Sequence, residues 1–94
     1  MRIRRTPSAL NDFKTISGHI ERQRNLATAN RVCRTIYDAI QILRRFPESG
    51  KAGIENGTRE FVVPAVPSYI VAYSVQQEVV RVLRIWHGAQ ERRD

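Results

Sequence analysis

Gly57-Thr58-Arg59-Glu60-Phe61-Val62-Val63-Pro64, then Ser68-Tyr69-Ile70-Val71-Ala72-Tyr73-Ser74-Val75, then Val79-Val80-Arg81-Val82-Leu83-Arg84-Ile85-Trp86-His87-Gly88 are three runs rich in β-branched and aromatic residues. Each is bounded by Gly, Pro or polar residues. A proline-marked turn and the polar Gln76-Gln77-Glu78 join them, connections short enough for antiparallel hairpins. The stretch from Gly57 to Gly88 therefore reads as a three-stranded meander, and it carries paired arginines and a histidine as well as strand chemistry.

Upstream the periodicity changes. Thr6-Pro7 has the form of a helix start, Thr6 as N-cap and Pro7 at the first helical position, where its missing N–H costs nothing. Leu10, Phe13, Ile16 and Ile20 follow at three- and four-residue spacing, so one face packs inward while Asp12, Lys14, His19 and Glu21 tend outward. After a pause from Gln23 to Thr28, where Asn25 or Thr28 can cap, a second stripe runs through Ala29, Val32, Ile36, Ala39 or Ile40, and Leu43. It stops at Arg44-Arg45-Phe46 because Pro47 disfavours helical geometry in the residue before it. Cys33 lies beside this stripe as a small packing residue. Arg2 to Arg5 can form a short edge strand whose charges discourage aggregation. Pro47 to Thr58, with Gly50, Gly53 and Gly57, reads as one long loop; Gly50-Lys51 lacks the flanking residues of a phosphate loop.

The expected architecture is α+β and two-layered: a short N-terminal strand and two antiparallel helices packed on a C-terminal three-stranded antiparallel sheet, with the other sheet face open. Ninety-four residues make a single domain over 1–94, too small for a second core. With 41% hydrophobic and 27% charged residues the chain should fold. Of its 16 basic residues only Lys14 and Lys51 are lysines, and the net charge is +7. Guanidinium groups grip phosphates and carboxylates bidentately, so a polyanionic partner is expected, nucleic acid or acidic protein. A lone cysteine, no Cys/His spacing for zinc and no apolar run of membrane length point to a cytoplasmic protein without metal or cofactor.

An arginine inside an apolar strand must reach solvent or a partner, which singles out Arg84; it could pair with Glu60 or another acid, or serve a ligand. Ideal alternation puts Val80, Val82, Arg84 and Trp86 on one face and Arg81, Leu83, Ile85 and His87 on the other. Arg59, at the mouth of the long loop, could join Arg84 in holding successive phosphates or stabilising a phosphorane-like transition state. His87, with a pKa near working pH, could protonate a leaving 5'-oxygen, though only a twist or strand end at Trp86 would bring it to the face of Arg84. Lys51 and Arg81 are further basic candidates for substrate binding. Tyr69 and Tyr73 share a face and could stack on bases or lie in the core. Glu48, Glu55 and Glu60 are candidate bases that spacing does not separate.

The chain resembles the RelE/ParE superfamily of bacterial toxins from type II toxin-antitoxin modules. The resemblance runs over nearly the whole chain and rests on the helix pair, on Phe46-Pro47-Glu48-Ser49-Gly50 leading to Gly57-Thr58-Arg59-Glu60, on Val62-Val63-Pro64, on Tyr69-Ile70-Val71-Ala72-Tyr73, and on Val82-Leu83-Arg84-Ile85-Trp86-His87-Gly88-Ala89. It implies a microbial-ribonuclease-like fold, growth arrest, and a cognate antitoxin, expected to be acidic and partly disordered. It also implies one of two targets: the ribosome and its mRNA, cut without metal by RelE-like members, or DNA gyrase, inhibited by ParE-like members without nuclease chemistry. Arg59 matches an arginine position of both branches, Arg84 the late-strand arginine of RelE-like enzymes, and His87 lies near the C-terminal histidine of YoeB-like ones. The lysine cluster and catalytic tyrosine of RelE are missing, the chain ending Gln90-Glu91-Arg92-Arg93-Asp94. The expectation drawn is ribosome-dependent mRNA cleavage by Arg59, Arg84 and His87, with gyrase inhibition as the alternative.

Overall fold

A computed structural model describes residues 1–89; the C-terminal Gln90 to Asp94, where the RelE-like tyrosine is lacking, lies outside the described residues. The order is β1 (Arg2–Arg5), α1 (Pro7–Gln23), α2 (Leu26–Ile42), β2 (Lys51–Ala52), β3 (Thr58–Val62), β4 (Tyr69–Gln76) and β5 (Val79–His87). Local chemistry fixes the helix starts. The Thr6 hydroxyl accepts the Ala9 N–H, Pro7 follows in the first turn, and the Asn25 side chain accepts the Thr28 N–H at 2.8 Å. A turn of two residues then forces α1 and α2 antiparallel.

The meander forms as its pattern requires, β3 and β5 each antiparallel to β4. Two strands extend it. β1 pairs in parallel with β5, and β2 pairs with β3, giving the order β1-β5-β4-β3-β2. The sheet is thus mixed and five-stranded rather than three-stranded, and the segment expected to be loop from Pro47 to Thr58 contains β2. Two residues cannot show a period, so β2 had no sequence signature. Gly57, at φ +81°, turns the chain back toward β3.

The two helices cover one sheet face. Ile16 and Ile20 from α1, with Ile36 and Ile40 from α2 and Leu43 at its C-cap, pack on Phe61, Val71, Tyr73, Val80, Val82 and Ile85. Two positions depart from the helical stripe. Leu10 is half exposed, and Asp12 is buried at 9% exposure rather than turned outward.

The strand alternation also breaks at one place. Tyr73 pairs with Val82 but Ala72 pairs with Arg84, so β5 carries one extra residue, Leu83, in a β-bulge. Beyond it the faces exchange. Val80, Val82, Ile85 and His87 point to the helices, while Arg81, Arg84 and Trp86 take the open side, the side of Ile70, Ala72 and Ser74. The bulge falls where β1 ends: past Arg5 the edge of β5 loses its strand partner, and α1 covers it instead. Thr6 donates its hydroxyl to the Leu83 carbonyl, and the Asp12 carboxylate accepts the Ile85 N–H. Side chains thereby satisfy the edge groups that a longer β1 would have paired.

Candidate functional site

Arg59 lies on the helix-facing side of β3, opposite Tyr73. Around it the segment after α2 is tied down by three hydrogen bonds. The Tyr73 phenol donates to the Pro47 carbonyl at 2.7 Å and accepts the Gly50 N–H at 2.9 Å, and Arg59 Nη1 donates to the Gly50 carbonyl at 2.7 Å. Gly50 is required because a Cβ there would stand 2.8 Å from both the Glu60 carbonyl and the Tyr73 ring. Burial pushes the Tyr73 phenol above its ordinary value of 10.0, opposed by the Gly50 hydrogen bond and the Arg59 charge. With no exposed surface, Tyr73 has no face on which a base could stack. Its work is to hold the Pro47–Gly50 segment against the sheet.

A cavity of about 470 Å³ opens at this end of the sheet, with Glu48, Thr58, Arg59 and Val75 in its wall. Arg59 is half-buried there, and its nitrogens other than Nη1 make no hydrogen bond or ion pair among the described residues. It can take an anionic group, with the Glu48 carboxylate as an opposing charge.

Arg84 is engaged elsewhere. Its Nε donates to Asp12 Oδ2 at 2.8 Å and its Nη2 to Asp12 Oδ1 at 3.1 Å, a bidentate pair with the second turn of α1. The acid that the strand arginine called for is therefore Asp12, four residues before Ile16 and three after Ala9 on the buried stripe of α1. That position was the signal for it: a carboxylate placed inward by helical period needs a cation.

His87 ends β5 on the helix-facing side, opposite Tyr69. Its Nδ1 accepts the Ala89 N–H at 3.0 Å, and the two rings meet edge-on, 5.1 Å apart at 87°. The Tyr69 phenol is raised by burial and secondarily by Cys33. Cys33 is half-buried, its thiol pushed up by burial against a weaker opposing hydrogen bond from Ser17. Packing, as its place beside the stripe implied, describes it.

The three residues expected to act together are thus dispersed. Arg59 and Arg84 sit on opposite faces with β4 between them, and Arg84 and His87 are also on opposite faces. Arg59 and His87 share a face, but their partners on β4 are four residues apart, roughly 13 Å along a strand. Among the other basic candidates, Lys51 is exposed on the open face across from Glu60, and Arg81 is exposed on that face beside Ser74. No group of three potential metal-ligating side chains occurs among the described residues.

Comparison with known proteins bears on the fold and on the family. The chain superposes on a chain of the chromosomal ParDE toxin-antitoxin system from P. aeruginosa with a TM-score of 0.85, covering 93% of this chain and 95% of that one at 18% identity. That likeness is one of fold. The model of the family described as the ParE toxin of the type II toxin-antitoxin system parDE matches residues 3–92. The chain belongs to the ParE toxin family. A relative from Sinorhizobium fredii (strain NBRC 101917 / NGR234), named "Putative toxin Y4kP", is 36% identical over 90 residues, 96% of this chain and 91% of the relative. As a ParE-family toxin, the chain is the toxin of a type II toxin-antitoxin system, and such a system supplies a cognate antitoxin as its partner.

Proposed function

We propose that this ParE toxin arrests growth by binding DNA gyrase and holding it inactive, with no nuclease chemistry of its own. The dispersal of Arg59, Arg84 and His87 over both sheet faces carries this reading. A metal-independent ribonuclease must orient the 2'-hydroxyl, stabilise the extra charge and protonate the leaving oxygen at one phosphate, within about 3 Å of each group. Here Arg84 grips Asp12, and His87 Nδ1 is occupied by a backbone N–H on the other side of the sheet. Arg59, the arginine position shared by both branches, remains the best placed to receive an acidic side chain of a protein partner in its cavity.

The proposed antitoxin is acidic and partly disordered in isolation. The net charge of +7 attracts such a segment, and half-exposed Leu10, Tyr37 and Ile42 on the helices offer apolar anchors. A cytoplasmic location is inferred with this reading, because a gyrase target lies there; no described helix is long and apolar enough to cross a membrane.

Brief expression from a repressed promoter distinguishes the targets. Gyrase inhibition gives SOS induction while a translated reporter mRNA keeps its 5' ends. New cuts within translated codons that vanish with Arg59→Ala would move the protein to mRNA cleavage at the ribosome, the first expectation from its sequence.

A further inference from the structure

The arginines of the sheet and its rim divide into two groups. Arg5 stacks over the Tyr37 ring at 4.9 Å, Arg44 Nε donates to the Met1 carbonyl, Arg59 to the Gly50 carbonyl, and Arg84 grips Asp12. Arg2, Arg4 and Arg81 instead make no side-chain hydrogen bond or ion pair among the described residues, and all three are exposed. They lie together. Arg4 and Arg81 are direct partners across the parallel β1–β5 ladder, and Arg2 lies two residues before Arg4 on β1 on the same open face.

Strand spacing puts the Cα atoms of Arg4 and Arg81 about 4.8 Å apart and those of Arg2 and Arg4 about 6.6 Å apart. Like charges directly opposite oppose folding. Among the described residues no acid pairs with them: the open-face neighbours of Arg81 and Val79 on β4 are Ser74 and Gln76, and Glu78 in the adjoining turn makes no ion pair with Arg2. Edge protection alone would be served by one charge of either sign. Three guanidiniums without a partner among the described residues, held side by side on paired strands, are an anion platform.

We propose that Arg2, Arg4 and Arg81 bind the phosphodiester backbone of a nucleic acid. Phosphates recur about every 3.4 Å of axis along one strand, so three guanidiniums at these spacings can reach two or three in succession. A protein partner fits the patch less well. Protein interfaces bury large apolar anchors at their centre, and here the partly buried Val79 is the apolar side chain set among Ser74, Gln76 and the three arginines. Of the exposed large apolar side chains, Met1 directly precedes Arg2 and Val62 lies on the open face two strands away on β3, while Leu10, Leu26, Tyr37, Ile42, Phe46 and Ile54 lie on other elements. The proposal does not depend on the growth target, since gyrase and the ribosome both hold nucleic acid.

The test is fluorescence anisotropy of the full chain against a short labelled duplex DNA and a short single-stranded RNA across a salt series. Three phosphate contacts on DNA contribute a slope of about −2.7 in log affinity against log salt, equivalent to about 40-fold between about 50 and 200 mM. Replacing Arg2, Arg4 and Arg81 together by Gln should remove that component. Replacing Arg22, Arg31 and Arg34 on the helices by Gln, the same loss of charge, should leave most of it. Tighter binding of the DNA or of the RNA arm identifies the source of the backbone. Equal losses in the two triple variants, or no binding of either nucleic acid by the unmodified chain, would overturn the proposal. Circular dichroism of each variant confirms that a loss of binding is not a loss of fold.

Discussion

Arg84 and Asp12 show how a residue's neighbours decide between chemistry and architecture. The carboxylate is buried, accepts from the Ile85 backbone and is neutralised by a guanidinium that remains largely solvated. Arg84→Ala should therefore lower stability by about 1–3 kcal/mol, leaving a buried carboxylate with one hydrogen bond in place of three. Arg84→Lys should recover only part, because an ammonium cannot make the bidentate contact. Thermal unfolding of the two variants measures both effects, and any loss of toxicity in Arg84→Ala should track the loss of folded protein. At Arg4 and Arg81 the expected sign is opposite. Replacing either by Gln relieves a like-charge pair and should raise the melting temperature by a few degrees, for about 0.2–1 kcal/mol. Tyr73 supplies a pH dependence. Its folded-state pKa is raised, so the stability it contributes is complete below about pH 10 and is lost as pH rises through the folded value. Denaturant titrations between about pH 9 and pH 11 should show a fall in stability, smaller in Tyr73→Phe, which starts lower because Pro47 and Gly50 lose their partner.

Among the elements, those with a long period were legible and those set by tertiary contact were not. Thr6 marked the start of α1, Asn25 was one of two caps the sequence offered for α2, and the three β-branched runs correspond to β3, β4 and β5. β2 consists of Lys51 and Ala52 alone, formed because Tyr73 and Arg59 draw the chain after α2 against β3. Gly50→Ala tests that dependence: overpacking against Glu60 and Tyr73 should cost about 1–3 kcal/mol and speed hydrogen exchange at β2 before the rest of the sheet. The bulge at Leu83 was equally hidden, because ideal alternation extends through any apolar strand until a neighbour ends. Here β1 ends at Arg5, and the faces of Arg84, Ile85, Trp86 and His87 exchange as a result. The candidate site was therefore read in its residue types more than in its grouping. Arg59 stands in a cavity wall, whereas Tyr73 is enclosed and Asp12, the partner of Arg84, was expected outside.

On the scale of the whole molecule, two helices shield one sheet face, while the other carries the buried Trp86 toward the end of β5 and exposed charges such as Lys51 and Arg81 elsewhere. The helix-side surface offers half-exposed apolar residues, the Arg59 cavity opens at the end of the sheet, and the unpaired arginines occupy the β1–β5 edge of the open face. Such a surface can hold an antitoxin, a protein target and a nucleic-acid backbone in separate places, and nowhere does it gather Arg59, Arg84 and His87 around one phosphate. The most direct measurement is DNA supercoiling by purified gyrase in the presence of the purified chain. Inhibition at substoichiometric to equimolar toxin, reversed by the antitoxin and weakened by Arg59→Ala, is the expected result. Full supercoiling activity at excess toxin, together with codon-positioned cuts in mRNA on purified ribosomes, would contradict it.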